Sequence, residues 1–107
     1  IMINLMRSKA LLLTKGIKFK YMPSNFKFYK LGKIQSISKS TPNLKILFLI
    51  NFPEKLNKSI ENSLISWSNL NAICLVDVLI KEQILINLST MCPNISCFIL
   101  GFKKYSP

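Results

Sequence analysis

The chain has 107 residues, half of them apolar and 18% charged, with a formal net charge of +11. This length accommodates one domain, and the apolar content excludes a chain that is disordered throughout. The longest apolar stretch, residues 72–88, is interrupted by Asp77, Lys81 and Glu82, whereas a membrane-spanning helix needs about 20 mostly apolar residues. The three cysteines show no CxxC spacing, so we expect no disulfide framework and a reduced compartment. So large a positive charge predicts a polyanionic partner, either nucleic acid or an anionic membrane surface.

The charge is distributed unevenly along the chain. Residues 1–45 carry ten cations and no carboxylate, whereas residues 46–107 carry five cations and four carboxylates. We therefore divide the chain into a basic arm with a turn segment, residues 1–41, and a small α/β domain, residues 42–107. The chain contains 15 Ile, 10 Asn and 14 Lys but only two Ala, which indicates an A/T-rich gene. The first residue, Ile1, indicates an incomplete sequence or a non-standard start codon, and organelle genomes supply both features.

The segment from Ile17 to Lys33 interleaves lysines with aromatic residues. In an extended chain this alternation places the aromatics on one side and the lysines on the other, with a turn at Pro23. Lysines neutralise phosphates and exposed aromatics stack on bases, so we interpret the arm as an RNA-binding surface. The candidate RNA-binding residues are Lys9, Lys15, Lys18, Lys20, Tyr21, Lys27, Lys30, Lys33 and Lys39.

Three alternatives to this interpretation stay open. The partner of the lysines could be an anionic membrane, or it could be an acidic protein surface. The aromatics could equally belong to the core, in which case only the lysines would meet phosphate.

A strand, a helix and a second strand are predicted after a polar linker at residues 32–43. The apolar run Ile46–Ile50 is typical of a strand buried on both faces. A helix is predicted to begin at Pro53 and to end near residues 69–71, and a second strand follows at Ala72–Val78. The apolar stripe of that helix comprises Leu56, Ile60, Leu64 and Trp67. This βαβ order predicts a parallel sheet.

The remaining residues give a weaker signal. Residues 81–94 suit a short helix through Ile84, Leu85 and Leu88. Residues 95–102 form either a third strand or a buried helix, because periodicity alone does not separate the two. The predicted fold class is therefore α/β, with a parallel sheet built on a βαβ unit and a basic N-terminal arm.

The residue types that enzymes and metal sites need are scarce. The chain has no histidine, and its three glycines are too far apart for a phosphate-binding loop. Asp77 follows the second strand, where an α/β enzyme places a functional acid, but we interpret it as a cap or a partner of loop amides. We expect Cys74, Cys92 and Cys97 to be small buried side chains rather than zinc ligands, and Trp67 to lie in the core. We predict no enzymatic activity, no cofactor and no metal.

Residues 42–96 resemble the carboxyl half of the universal small-subunit ribosomal protein two family, in its mitochondrial form. The shared features are a proline-led apolar strand, a helix, and a strand that closes on Leu75, Val76 and Asp77. The sequence CPNIS at residues 92–96 stands where the family has a proline-asparagine-aspartate segment, although Ile95 replaces the aspartate. KYMPSN at residues 20–25 resembles the family's basic-aromatic turn.

The resemblance implies a Rossmann-like sheet in a mitochondrial ribosomal protein of the matrix. It also implies contacts with small-subunit ribosomal RNA and with other ribosomal proteins, without catalysis or a small-molecule substrate. Our leading hypothesis is therefore a structural component of the mitochondrial small ribosomal subunit. The alternative is a small accessory subunit of a mitochondrial membrane complex, with its cationic amino end on a cardiolipin-rich surface. A degenerate enzyme domain that uses Asp77 is the third hypothesis.

Overall fold

A computed structural model of the chain describes residues 13–30 and 32–101. The strands are β1 (Gly16–Lys20), β2 (Ile46–Ile50), β3 (Ala72–Val76) and β4 (Cys97–Gly101). The helices are α1 (Phe26–Lys30), α2 (Lys33–Ser40), α3 (Asn57–Leu64) and α4 (Glu82–Met91). Short 3-10 turns lie at Pro23–Asn25, Glu54–Leu56 and Ile65–Trp67.

The four strands form one parallel sheet in the order β1-β2-β3-β4. One row of residues in register across it is Lys18, Phe48, Cys74 and Ile99. This arrangement confirms the predicted α/β class and the parallel βαβ unit. It also decides the ambiguous carboxyl-terminal residues, since 97–101 form a strand, while the helix expected through Ile84 and Leu88 is α4.

Strands β2 and β3 end in the same way. Asn51 and Asp77, which follow them directly, have φ angles of 63° and 54°. Asparagine and aspartate adopt this left-handed conformation at a lower energetic cost than other side chains. The Asn51 N–H donates to the Val76 carbonyl at 2.8 Å, and the Asp77 N–H donates to the Gly101 carbonyl at 2.9 Å. Both residues therefore continue the backbone pairing by one step before the chain turns away, and β3 ends before the predicted Val78.

The predicted apolar stripe of α3 is confirmed, because Leu56, Ile60, Leu64 and Trp67 are all buried. The helix itself is shorter than predicted, since it ends at Leu64 and a 3-10 turn continues only to Trp67. The Trp67 Nε1–H donates to Thr41 Oγ1 at 2.9 Å, and Thr41 Oγ1–H donates to the Ile37 carbonyl at 2.8 Å. The indole is thereby joined to the end of α2.

The predicted polar linker is wrong, because Lys33–Ser40 of this segment form α2. Its composition is polar, but Ile34 and Ile37 lie three residues apart on one helical face and are buried. Gly32 precedes the helix with a φ of 73°, a conformation that glycine adopts without strain. Residues 26–30 are also helical, so the extended alternation of lysines and aromatics holds only in β1.

The boundary predicted at residue 41 does not separate an arm from a domain. Phe19 of β1, Tyr29 of α1 and Ile34 of α2 belong to the same core as Leu47 and Leu75. Residues 16–40 are therefore an integral part of the α/β domain. Residues 1–12 of the predicted arm lie outside the described part of the chain.

The helices pack on one face of the sheet, and alternate residues of β1, β2 and β3 are buried beneath them, whereas β4 at the edge is exposed on both faces. Leu47 is fully buried, whereas its neighbours in β2, Ile46 and Phe48, are 42% and 38% exposed. The prediction that this strand is buried on both faces is therefore wrong for the described residues. We call the uncovered side the open face. It comprises the side chains of Lys18, Lys20, Ile46, Phe48, Ile50, Ala72, Cys74, Val76, Cys97 and Ile99.

Candidate nucleic-acid interface

The charge that the sequence concentrates before residue 46 is concentrated in space as well. Within the described residues, 13–45 contain eight lysines and no carboxylate, whereas 46–101 contain three lysines and four carboxylates. Strand β1 forms one edge of the sheet, and Tyr29 of α1 packs directly against it. We call the exposed lysines of this end of the molecule the basic edge. They are Lys15, Lys18, Lys20, Lys27, Lys30, Lys33 and Lys39.

The sheet divides these lysines into two groups. Phe19 is buried under the helices, so its neighbours Lys18 and Lys20 project toward the open face. The helices α1 and α2 hold the second group, Lys27, Lys30, Lys33 and Lys39, on the other side of the sheet. The candidate RNA-binding residues therefore do not form one line along an extended arm. They lie on both sides of the β1 edge.

A groove of about 260 Å³ runs between β1 and α1 at this edge. It is lined by Lys18, Phe19, Lys20, Asn25, Phe28 and Tyr29. The Tyr29 Oη–H donates to the Lys20 carbonyl at 3.0 Å, and Asn25 Nδ2–H donates to the same oxygen at 3.2 Å. These bonds satisfy a carbonyl of an edge strand, where another chain would otherwise pair. Hydrogen bonds therefore hold Asn25 and Tyr29 against β1 as one wall of the groove, and Lys18 and Lys20 lie beside it.

The aromatic residues next to the lysines pack against one another. The Tyr21 ring centroid lies 5.9 Å from that of Tyr29 and 6.1 Å from that of Phe52. Tyr29 in turn lies 4.9 Å from Phe52, and its burial raises the pKa of its phenol, which keeps the hydroxyl a donor. The half-buried Tyr21 is part of this cluster. The geometry favours the alternative in which the aromatics build the core and lysines meet phosphate.

The basic-edge lysines have no carboxylate partner among the described residues. An ion pair is present in α3, where Lys58 Nζ lies 3.5 Å from Glu61 Oε1, and it involves no lysine of the basic edge. Lys55 Nζ lies 4.1 Å above the Phe26 ring, a cation–π contact. The charge of the basic edge is therefore available to an external anion.

The cysteines behave differently from one another. Cys92 is buried, its Sγ–H contacts the carbonyls of Leu64 and Trp67 at 3.5 and 3.4 Å, and burial raises its pKa to about 11. Cys74 is half-buried and Cys97 is exposed, so the prediction of three buried cysteines is correct only for Cys92. Within residues 13–30 and 32–101, no three His, Cys, Asp or Glu side chains come together as a metal site would require.

Sequence reasoning missed the groove and the open face. Lys9 lies outside the described residues, and the other predicted lysines are all exposed. The groove depends on Asn25 and Tyr29, whose contacts with the Lys20 carbonyl require the turn at Pro23 to fold α1 back against β1.

A search of the described residues for a membrane span finds no helix with the length and apolar character to cross a bilayer. Comparison of the chain with protein-family models, curated proteins and solved structures finds no match.

Proposed function

We propose that this chain is a structural, non-enzymatic component of the mitochondrial small ribosomal subunit. It binds ribosomal RNA through the basic edge and packs against neighbouring ribosomal proteins. The observation that carries the proposal is the cluster of exposed lysines, without a carboxylate, around the groove at β1. The resemblance of residues 42–96 supports the choice of particle, and the A/T-rich codon bias supports the compartment.

Lysine is suited to this role because its ammonium group neutralises phosphate without requiring a fixed orientation. Each phosphate contact releases condensed counterions, so the logarithm of the binding constant falls linearly with the logarithm of the salt concentration. The slope is about 0.7 per contact for a single strand and about 0.9 for a duplex. Salt dependence therefore measures how many basic-edge lysines meet phosphate.

The test uses the full chain and transcribed mitochondrial small-subunit ribosomal RNA. In one variant, Lys27→Gln, Lys30→Gln and Lys33→Gln are combined, because these side chains are exposed on helices and none supports the core. We expect this variant to fold normally. The slope of the logarithm of its binding constant against the logarithm of salt concentration should be smaller in magnitude by about 2 to 2.7. Binding is measured by filter retention between about 50 and 200 mM salt.

A matched control removes the same charge from the nearly neutral part of the chain. It combines Lys58→Gln, Lys81→Gln and Lys103→Gln, and leaves Lys55 in place because its ammonium group contacts Phe26 of α1. We expect the salt slope to stay unchanged. If both triple variants lose the same amount, binding follows net charge and the basic edge is not the interface. If the unmodified chain binds the RNA without salt dependence, or does not bind it, the proposal is wrong.

Sedimentation of an organelle lysate that contains the tagged chain tests the particle. We expect co-migration with the small subunit, and this must persist when low magnesium separates the subunits. Migration with the large subunit would contradict the family resemblance while leaving RNA binding intact. Retention in carbonate-extracted membranes would favour the accessory subunit of a membrane complex instead.

A further inference from the structure

The open face is apolar across three strands, although nothing described covers it. Ile46, Phe48 and Ile99 are 42%, 38% and 52% exposed, and Cys74 lies between Phe48 and Ile99 in the same row. Parallel sheets occur almost only with both faces covered. A contiguous apolar surface of this kind marks an interaction site.

We propose that an amphipathic helix from a second polypeptide, with carboxylates along one flank, packs on the open face. Strands of five residues are about 16 Å long, and four strands are about 14 Å wide between the outer strand axes. A helix is about 10 Å in diameter and rises 1.5 Å per residue, so roughly 10 to 14 residues cross this surface.

The charge of the face determines the kind of helix. The two cations of the open face, Lys18 and Lys20, both belong to β1. No residue of the open face is a carboxylate. The β2, β3 and β4 columns present Ile, Phe, Ala, Val and Cys side chains. A partner helix therefore needs an apolar stripe over β2 to β4 and acidic residues over β1.

The other occupants fit this pattern less well. A second copy brings a further +11 charge and the same two lysines. Residues 1–12 carry Arg7 and Lys9 and no carboxylate, so they cannot pair with Lys18 and Lys20. RNA would find a single aromatic ring, Phe48, and no hydrogen-bonding side chain on β2 to β4 apart from thiols.

The proposal does not rest on RNA binding. Lys27, Lys30 and Lys33 lie on helices on the opposite side of the sheet from Phe48 and Ile99. Lys18 and Lys20 belong to both surfaces, so the two proposals are separated by other variants: Lys27→Gln, Lys30→Gln and Lys33→Gln test RNA binding, and Ile99→Asp tests helix docking.

Cys74 and Cys97 report directly on the open face, because both lie on it and neither is fully buried. The experiment measures the rate at which N-ethylmaleimide modifies each cysteine of the full chain, by mass spectrometry. Cys92, which is buried and contacts two backbone carbonyls, is the internal reference for a folded protein. The probe is a synthetic amphipathic peptide of about 14 residues with a leucine stripe flanked by glutamates.

We expect the glutamate peptide to slow modification of Cys74 and Cys97 and to leave Cys92 unreactive. A control peptide has lysine in place of each glutamate, and we expect it to need about tenfold higher concentration for the same protection, as two surface charge pairs predict. The combined variant Lys18→Glu and Lys20→Glu should reverse this preference. Ile99→Asp should abolish protection, while Ile65→Asp, a change at an exposed residue outside the sheet, should not.

Four outcomes overturn the proposal. Equal protection by both peptides shows that charge does not select the partner. Faster modification of Cys74 after deletion of residues 1–12 shows that the chain covers its own face. Protection that rises with protein concentration alone shows a second copy, and protection by poly-uridylate shows an RNA surface.

Discussion

The two faces of the sheet are built from the same kinds of side chain, yet among the described residues the helices cover only one face, and only over β1, β2 and β3. In β2, Leu47 and Leu49 are buried while Ile46 and Phe48, also large and apolar, are exposed. The cause is the strand order. Because β1, β2, β3 and β4 follow one another in a single direction, connections of the usual right-handed kind place each helix on the same face. Covering both faces would require the order to reverse, as it does in doubly wound sheets.

The largest difference between the faces should come from truncating adjacent residues of β2. Leu47→Ala removes a fully buried side chain, so we expect the free energy of unfolding to fall by about 3 kcal/mol. Phe48→Ala removes a larger side chain that is 38% exposed on the open face, and we expect a smaller loss, of about 1 to 2 kcal/mol. Urea denaturation of both variants measures the two values. Equal losses would mean that the isolated chain covers both faces.

How much the sequence predicts depends on whether local pattern or global topology decides the feature. The stripe through Leu56, Ile60 and Leu64 was predictable because burial of one helical face imposes a period on the sequence. The two strands were predictable because each is a short continuous apolar run between polar residues. Helix α2 was not, because Ile34 and Ile37 are its only apolar residues and they stand among lysines and serines. Two apolar residues in eight carry little periodic signal.

The candidate site was predictable in its charge and not in its shape. The lysines before residue 46 are visible in the sequence, and their exposure agrees with an external partner. Their division between the open face and the helices depends on where β1 ends and α1 begins. The open face was missed because a continuous apolar run indicates burial on both sides only if chain topology supplies two helical layers.

On the covered face, the Asn57 side chain joins the start of α3 to the loop before α4. Its truncation should cause the next largest loss in the free energy of unfolding. Its Nδ2–H donates to the carbonyls of Glu54 at 2.8 Å and Leu79 at 2.6 Å, and its Oδ1 accepts from the Lys81 N–H at 2.8 Å. Asn57→Ala removes all three hydrogen bonds of this buried amide and leaves the partly buried Leu79 carbonyl and Lys81 N–H without it, so we expect a loss of about 2 kcal/mol. The control Asn62→Ala, on the same helix and not buried, should cost less than about 0.5 kcal/mol.

A smaller effect should follow the ionisation of Cys92, which directly follows α4, contacts the Leu64 carbonyl at the end of α3 and, unlike Cys74 and Cys97 of the open face, is buried. In the unfolded chain its thiol has the ordinary pKa of 9.0, whereas burial raises the folded value to about 11. The stability that this thiol contributes is therefore complete below pH 9 and is lost as the pH rises toward 11. The loss should be on the order of 2 kcal/mol.

The comparison of wild type with Cys92→Ala isolates this contribution. The variant should be less stable near neutral pH but should lose less stability as the pH rises from about 8 to about 11. Tyr29, whose pKa burial also raises, remains in both proteins and so cancels. Parallel pH profiles of the two unfolding free energies would contradict the prediction.

Ile99→Gln should have the smallest effect on the free energy of unfolding, and it tests directly whether the open face is exposed in the isolated chain. Ile99 is 52% exposed on β4, so the change should alter the free energy of unfolding by no more than about 0.5 kcal/mol. It should also lower the fluorescence of an apolar dye bound to the isolated chain, because a polar side chain interrupts the row through Phe48 and Cys74. Urea denaturation and dye titration on the same preparation measure both. A loss above about 2 kcal/mol would show that Ile99 is buried in the isolated chain, and the open face would then be covered at β4.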